Sequence, residues 1–302
     1  MHNLARAYDQ AGRLDEALPL FEETLKLEKS KLGPEHPDTL SALEALASAY
    51  SHAGRMREAI RFYNEVLTPA FMSQSNSAGL LRHRAELFAR SGQWKEAAAD
   101  LRHALELHPD NVWTWHCLAA VLVQEGQLEA YRAQCRKSVE RFGNTTDPVT
   151  AERIAKDCLI LPESGADLDR VAGLAHAASS RTNNPFGQEW DQFTQGLADY
   201  RQGHFTSAVD WTEKALDKLG TNSERDVAAL MVQAMACQRL NSSDKARAAL
   251  AKGTELAGTK LPKLEGGDLG PYWLDWVTAQ ALLREAATLI EGQTPSVKDA
   301  SK

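Results

Sequence analysis

The apolar positions in the N-terminal part of the chain follow helical spacing and recur as a block of fixed length. The segments LARAYDQAGRLDEALPLFEETL and LASAYSHAGRMREAIRFYNEVL begin at Leu4 and Leu46, 42 residues apart. The matching positions are Leu4, Ala5, Tyr8, Gly12, Ala17, Phe21 and Leu25, and then Leu46, Ala47, Tyr50, Gly54, Ala59, Tyr63 and Leu67. Apolar residues three and four positions apart on both sides of the glycine predict two amphipathic helices per block. The glycine ends the first helix, because it adopts a left-handed backbone at little cost.

Further blocks follow with increasing drift from this pattern. Their predicted helix breaks are Gly92, Gly126, Gly165, Gly203 and Asn241; asparagine tolerates the same backbone as glycine. In the fourth block Tyr131 stands where the first has the small Ala17, which predicts looser or shifted packing there. One helical hairpin cannot bury its apolar face alone, whereas stacked hairpins can, so the blocks predict a repeat array.

The predicted fold is all-α: a right-handed α-solenoid of about seven helix-turn-helix hairpins with a C-terminal capping helix. We predict an N-terminal array of four hairpins, the first truncated, over residues 1–147, and a C-terminal array over 148–258. That second array has a weak fifth hairpin, with its second helix over 167–180, followed by two regular ones. A linker and capping helix follow over 259–292, the helix beginning near Tyr272, and a disordered tail over 293–302. The weak fifth block and the turn-like SSRTNNPFG predict a bend or a split between Pro148 and Asn184.

Composition narrows the class of protein. The chain has 302 residues, of which 43% are hydrophobic and 25% charged, as in soluble globular proteins. Its net charge of -7 argues against a nucleic-acid binder that uses a basic face. The N-terminus lacks the apolar core of a signal peptide, and no apolar run approaches the ~20 residues that cross a bilayer. The cysteines, Cys117, Cys135, Cys158 and Cys237, form no CxxC pair, so we expect reduced core thiols in a cytoplasmic protein.

Motifs that carry chemistry are missing from the sequence. The segment GTELAGTK from Gly253 resembles a phosphate loop but transposes its last two residues, and HRAEL at His83 lacks the aspartate of a kinase catalytic loop. No HExxH and no GxSxG occurs. We therefore predict a protein without catalytic, cofactor-binding or metal-binding residues. An enzyme whose site is assembled from distant residues is the remote alternative.

The spacing LxxxYxxxGxxxxAxxxF over roughly Met1 to Ala257 resembles the tetratricopeptide repeat. The first two copies, with the insert KLGPEHPDTL, resemble its kinesin light chain type. The resemblance implies a scaffold that binds a protein or peptide partner, with neither nucleic acid nor membrane as a ligand. Segments such as AERIAKDCLILPESGADLDR and WVTAQALLREAATLI are similar to C-terminal regions of bacterial Ser/Thr protein kinases that carry such repeats. This implies an alternative, the regulatory or substrate-recruiting region of a signalling kinase. Met1 falls about one turn inside the first helix of the pattern, so in this alternative we expect a kinase domain upstream.

In such arrays the first helix of each hairpin lines a groove that binds peptides or helices. Residues of these helices that do not face the predicted core are the candidates for binding. The candidate groove residues are His2, Arg6, Glu44, Ser48, His52, Arg82, Glu86, Arg90, Trp113, His116, Gln124, Trp190, Phe193, Arg201, Met231, Met235 and Arg239. Their mixture of charge with tryptophan and methionine favours a partly apolar peptide or helix.

Overall fold

A computed structural model of the protein describes residues 1–180, 187–217 and 219–292. This part of the chain is helical throughout its regular elements, with two 3-10 turns at Ser75–Ser77 and Leu264–Gly266. The α-helices are α1 (His2–Gln10), α2 (Leu14–Leu32), α3 (Pro37–His52), α4 (Met56–Val66), α5 (Pro69–Met72), α6 (Ala78–Arg90), α7 (Trp94–Leu107), α8 (Val112–Glu125), α9 (Leu128–Phe142), α10 (Pro148–Leu159), α11 (Leu168–Ser179), α12 (Gln188–Arg201), α13 (Phe205–Ala215), α14 (Ser223–Arg239), α15 (Ser243–Lys260) and α16 (Trp273–Glu291).

The predicted hairpins are all present in the described residues, so the prediction of an all-α fold of stacked hairpins is confirmed. They are the pairs α1/α2, α3/α4, α6/α7, α8/α9, α10/α11, α12/α13 and α14/α15. Successive hairpins stack because the second helix of one packs on the first helix of the next, as α2 does on α3 and α13 on α14. The weak fifth block forms a hairpin as well. The short α5 and the turn after it were not predicted.

The turns inside the hairpins follow the predicted chemistry. Gly12 has φ +70°, its N–H donates to the carbonyl of Asp9, and the N–H of Arg13 donates to the carbonyl of Tyr8. This pair of hydrogen bonds satisfies carbonyls that a helix end leaves unpaired. Asn241 has φ +59°, in agreement with its assignment as the helix break of the seventh hairpin.

The core consists of small residues at the helix crossings and larger side chains between them. Ala17 and Ala59 are fully buried, as is Phe21. At Tyr131, where we expected looser or shifted packing, the packing is not loose. Its ring is fully buried, and its hydroxyl donates to the carbonyl of Asp157 at 2.7 Å, so the larger side chain fills its space and satisfies its polar group.

The chain divides into two compact units. Unit 1 comprises Met1–Thr114 and Lys263–Gly270, and unit 2 comprises Trp115–Pro262 and the chain from Pro271 onwards. The division therefore falls inside α8, and it does not coincide with the predicted boundary between residues 147 and 148. The predicted tail over 293–302 and most of SSRTNNPFG lie outside the described residues. In the described ranges no helix has both the length and the apolar character needed to cross a membrane.

Candidate functional site

The first helices of unit 1 present a surface of charged and polar side chains on the side away from the hairpin core. We call this surface the first-helix face of unit 1; its members are Arg6 on α1, Glu44, Ser48 and His52 on α3, and Arg82 and Glu86 on α6. Arg6, Ser48 and His52 are exposed, and the other three are partly exposed. Six of the predicted candidates therefore lie on successive helices of one unit and are open to solvent.

Polar contacts link neighbouring helices across this face. His52 Nδ1 lies 2.9 Å from an Asp9 carboxylate oxygen, which joins α3 to α1. His83 Nδ1 lies 3.0 Å from a Glu44 carboxylate oxygen, which joins α6 to α3. The two contacts bridge neighbouring first helices, whose spacing is set by the apolar core of the stacked hairpins.

Arg82 stands apart from these pairs. Its guanidinium donates to His83 Nε2 at 2.6 Å. Because a guanidinium can only donate, Nε2 accepts in this contact and Nδ1 is the ring nitrogen that faces Glu44. Within the described residues Arg82 forms no ion pair with a carboxylate. Its positive charge is thus available to an incoming acidic group.

A cleft of about 630 Å³ adjoins Arg82. Its lining residues include Asn76, Asn111, His108 and Thr114 as well as Arg82. His108 Nε2 is 2.9 Å from the hydroxyl of Ser75, and Asn111 accepts from the backbone and the hydroxyl of Thr114. The cleft extends the first-helix face with amide and hydroxyl groups that can hydrogen-bond a peptide.

Arg90, a further predicted groove residue, already forms an ion pair within unit 1. Its guanidinium makes two hydrogen bonds to the carboxylate of Asp268, at 2.9 and 2.7 Å. The backbone N–H of Leu269 also donates to the Arg90 carbonyl at 2.9 Å. The segment 263–270 therefore covers the C-terminal end of α6, and Arg90 serves the fold of unit 1.

Three first helices of unit 2, α10, α12 and α14, are in contact with α16. This helix packs mainly on α14 and less on α15. Near its N-terminus an Asp275 oxygen lies 3.4 Å from Lys156 Nζ of α10. Towards its C-terminus, the carboxylate of Glu285 accepts hydrogen bonds from both terminal nitrogens of the Arg201 guanidinium on α12, the one from Nη2 at 2.8 Å. The capping helix was predicted at the end of the array; it lies along the first helices instead of only closing the last hairpin.

The covered region contains a buried network of charges. Lys156 lies 3.2 Å from Glu152, 3.4 Å from Asp275, and 4.6 Å from the centre of the Trp190 ring. His116 Nδ1 is 2.5 Å from an oxygen of Asp157. Glu152, Lys156, His116 and Asp157 are buried in unit 2 and the side chain of Asp275 is 16% exposed, so these groups depend on one another for the stabilisation that water gives outside.

Titration of the network reflects burial and charge together. Burial raises the pKa of Asp157 and of Asp275. Burial also acts against the charged form of Glu152, but Lys156 and His116 bring its pKa below the ordinary value. Burial opposes the charge of Lys156 as well, but Glu152, Asp275 and Asp157 together raise its pKa above the ordinary value. The lysine is held as a cation that joins α10 to α16, and the network stabilises the covered arrangement.

Four predicted groove residues are buried. Phe193, Met231 and Met235 are fully buried, and His116 has 5% of its surface exposed. Their side chains contact the protein interior, so they do not offer a surface to a partner. The physical reason is clearest for Met231: α14 is packed against α12, α13, α15 and α16, which leaves it almost no free side.

The remaining candidates have mixed environments. His2 is partly exposed and packs edge-on against Phe21. Trp113 and Gln124 are partly exposed on α8, while Arg239 is exposed and borders α16. Trp190 covers Lys156, as described above, and Arg201 is held by Glu285. Sequence reasoning did not single out Asp275, Glu285 or the Glu152–Lys156 pair. The acidic residues of α16 would have predicted these ion pairs only if α16 had been known to lie along α10 and α12.

Comparisons with known proteins identify the repeats. Residues 1–68 and residues 78–121 each match a family model described as tetratricopeptide repeat. The prediction of tetratricopeptide repeats is confirmed by these matches. No curated protein sequence matches the chain.

Solved structures show the same fold at low sequence identity. A tetratricopeptide repeat protein from Parabacteroides merdae matches with a TM-score of 0.56 and 15% identity, over 94% of this chain and 96% of that one. Cut9 of the APC/C hetero-tetramer Cut9-Hcn1 matches with a TM-score of 0.53 and 16% identity, over 93% of this chain and 48% of that one. A kinesin light chain repeat structure from Podosopora anserina matches with a TM-score of only 0.27 at 20% identity. The first two matches support the helical repeat fold, and the kinesin light chain type is not confirmed.

Proposed function

We propose that the protein is an interaction scaffold and that unit 1 binds a segment of a partner protein along its first-helix face. The observation that carries this proposal is the contrast between the first helices of the two units. In unit 2 the first helices α10, α12 and α14 are in contact with α16, whereas Arg6, Ser48 and His52 of unit 1 are exposed. Helical repeat proteins commonly bind peptides or helices on such a side of successive helices.

The charges of the face select the chemistry of the segment. Arg82 has no carboxylate partner within the described residues, and the adjoining cleft supplies amide and hydroxyl groups. A bound segment with an acidic side chain would pair with Arg82 by a charge-assisted hydrogen bond. We therefore propose an extended or helical segment with at least one aspartate or glutamate.

The experiment is a selection of peptides from a display library with the full chain, followed by fluorescence anisotropy on the enriched peptides. Arg82→Ala and Ser48→Arg are each expected to weaken binding at least about tenfold, from the loss of a charged hydrogen bond and from a blocked surface. Arg57→Ala is the matched control, because Arg57 is exposed on the second helix α4 of the same unit. The first-helix face is ruled out as the binding site if the enriched peptides bind Arg82→Ala and Ser48→Arg as tightly as the unchanged chain while the helicity of both variants is unchanged.

The relation to a larger signalling kinase stays a prediction, as do the cytoplasmic location and the bacterial origin. Its test is the intact mass of the gene product in its own organism. A mass near 33.2 kDa would favour a free-standing adaptor, and a mass larger by a kinase domain would favour a recruiting arm. The remote alternative of an enzyme needs titratable groups open to a substrate; the network around Lys156 is buried, and its groups pair with one another.

A further inference from the structure

The outer side of α1 has the sequence of a buried interface and yet faces solvent. Leu4 is 52% exposed, whereas Leu46, its counterpart 42 residues later, is fully buried. Met1 is 55% exposed, and its counterpart Leu43 is 1% exposed. By contrast Ala5 and its counterpart Ala47 are buried in both hairpins. Residues buried in both copies face their own hairpin, and residues buried only in the second copy face the preceding one.

The structure also shows what covers this side in the second copy. There α2 packs on α3. The hydroxyl of Tyr50 on α3 donates to the carboxylate of Glu22 on α2. Tyr8 on α1 is the counterpart of Tyr50. Each ring contacts an arginine at the corresponding position: Arg13 lies 4.5 Å from the ring centre of Tyr8, and Arg55 lies 4.5 Å from that of Tyr50. Tyr8 thus shares the arginine contact of Tyr50 but lacks the carboxylate that α2 supplies to Tyr50.

We propose that the exposed side of α1, formed by Met1, Leu4, Ala7 and Tyr8, is a docking surface for a helix with the residue pattern of α2. The partner is a hairpin of this 42-residue repeat type, and it presents apolar residues to Leu4 and a carboxylate to Tyr8. The surface continues the stacking interface of unit 1 in the same register. It is separate from the first-helix face, so this inference stands independently of the proposed function.

A second folded copy of the chain does not meet these requirements. The side of its α2 that fits the surface is already covered by α3. Its last second helix, α15, has Ala251 where α2 has Glu22, counted from the corresponding positions Leu250 and Phe21. That helix therefore brings no carboxylate to Tyr8. The chemistry favours a different hairpin over self-association.

The test uses the full chain with a second copy of residues 1–42 placed before Met1, so that Ala42 precedes Met1 as it precedes Leu43. Hydrogen exchange of the α1 amides is compared between the natural and the extended chain. We expect exchange at α1 to slow by at least about tenfold in the extended chain, because a covered helix opens less often. Equal exchange rates in the two chains would overturn the proposal.

Leu4→Asp provides the discriminating variant. In the natural chain it should leave the unfolding midpoint nearly unchanged, because Leu4 is largely exposed. In the extended chain, where the change is made in the original copy, it should abolish the added protection. Strong destabilisation of the natural chain by Leu4→Asp would contradict the proposal. So would a natural chain that sediments as a dimer and becomes monomeric with Leu4→Asp, because the occupant would then be a second copy.

A peptide of residues 14–32 is the probe in trans. It should bind the natural chain and lose affinity when its Glu22 is changed to Gln or when the chain carries Leu4→Asp. Absence of binding at millimolar peptide, together with unchanged exchange in the extended chain, would refute the docking surface. Neither readout depends on Arg82, so failure here leaves the first-helix face untouched.

Discussion

Replacing Lys156 by methionine tests whether the buried network holds α16 in place. The side chain is 7% exposed and lies 3.2 Å from Glu152 and 3.4 Å from Asp275. Methionine preserves most of the aliphatic volume and removes the charge, so two buried carboxylates lose their cation. Breaking a buried ion pair on one side costs about 3–5 kcal/mol of the free energy of unfolding. With a urea dependence of about 2 kcal/mol per M, the urea midpoint of unit 2 should fall by about 2 M.

The assay is urea unfolding followed by circular dichroism at pH 7 and at pH 4, with Lys137→Met as the exposed control on α9. Burial raises the pKa of Asp275 already in the unchanged protein, and loss of the lysine raises it further. A carboxyl group with a raised pKa in the folded state favours folding below its unfolded pKa and loses that contribution as the pH rises. The penalty of Lys156→Met should therefore be large at pH 7 and smaller at pH 4.

A charge-free variant separates the ionic contribution from packing. Lys156→Met combined with Glu152→Gln and Asp275→Asn leaves no unpaired buried charge among the three groups. It should be more stable at pH 7 than Lys156→Met alone, because removing all members of a buried network costs less than removing one. A urea midpoint for Lys156→Met equal to that of Lys137→Met, or no recovery in the triple variant, would refute the reasoning.

Two smaller predictions use matched pairs of substitutions and the same unfolding assay. Tyr131→Phe should lower the free energy of unfolding by about 1–2 kcal/mol, because the carbonyl of Asp157 loses its buried donor, whereas Tyr8→Phe, at a partly exposed ring, should change it little. Gly12→Ala should cost about 1–2 kcal/mol, since φ is +70° there, whereas Gly173→Ala, in the middle of α11 with open space around it, should stabilise by about 0.5–1 kcal/mol. A loss at Gly173 equal to that at Gly12 would contradict the backbone explanation.

The hairpins could be predicted from the sequence because each one depends on local rules. The 3.6-residue period fixes the helices, and Gly12 or Asn241 fixes the turn. Even the weak fifth hairpin was assigned correctly, with α11 over Leu168–Ser179 and a predicted second helix over 167–180. These features need only neighbours along the chain, so one sequence contains enough information to place them.

The surface could be predicted only in part, because burial on a first helix depends on what packs over it. Arg6 and His52 of unit 1 were assigned to an open side and lie there. Met231 and Phe193 were assigned by the same helical register, but the added packing in unit 2 buries them. The run VAALMVQAMAC of α14 is apolar around the whole helix, which indicates a helix covered on all sides, but nothing in it identifies α16 as the covering helix. The position of a covering helix is set by distant pairs such as Lys156–Asp275, which are 119 residues apart.

The two units show how one repeated hairpin can serve two purposes. In unit 2 the first helices bind a helix of the same chain: Lys156 and Arg201 pair with Asp275 and Glu285, and apolar residues of α16 such as Val277 and Leu282 are fully buried. This is the kind of contact that we propose for a partner of unit 1: carboxylates of an amphipathic helix pair with single basic side chains on first helices. In unit 1 the arginine at the end of α6 is paired with Asp268, but Arg82, two turns earlier, is not paired with any described carboxylate. The chain thus contains its own example of the recognition chemistry, and Arg82 is the position at which a partner would repeat it.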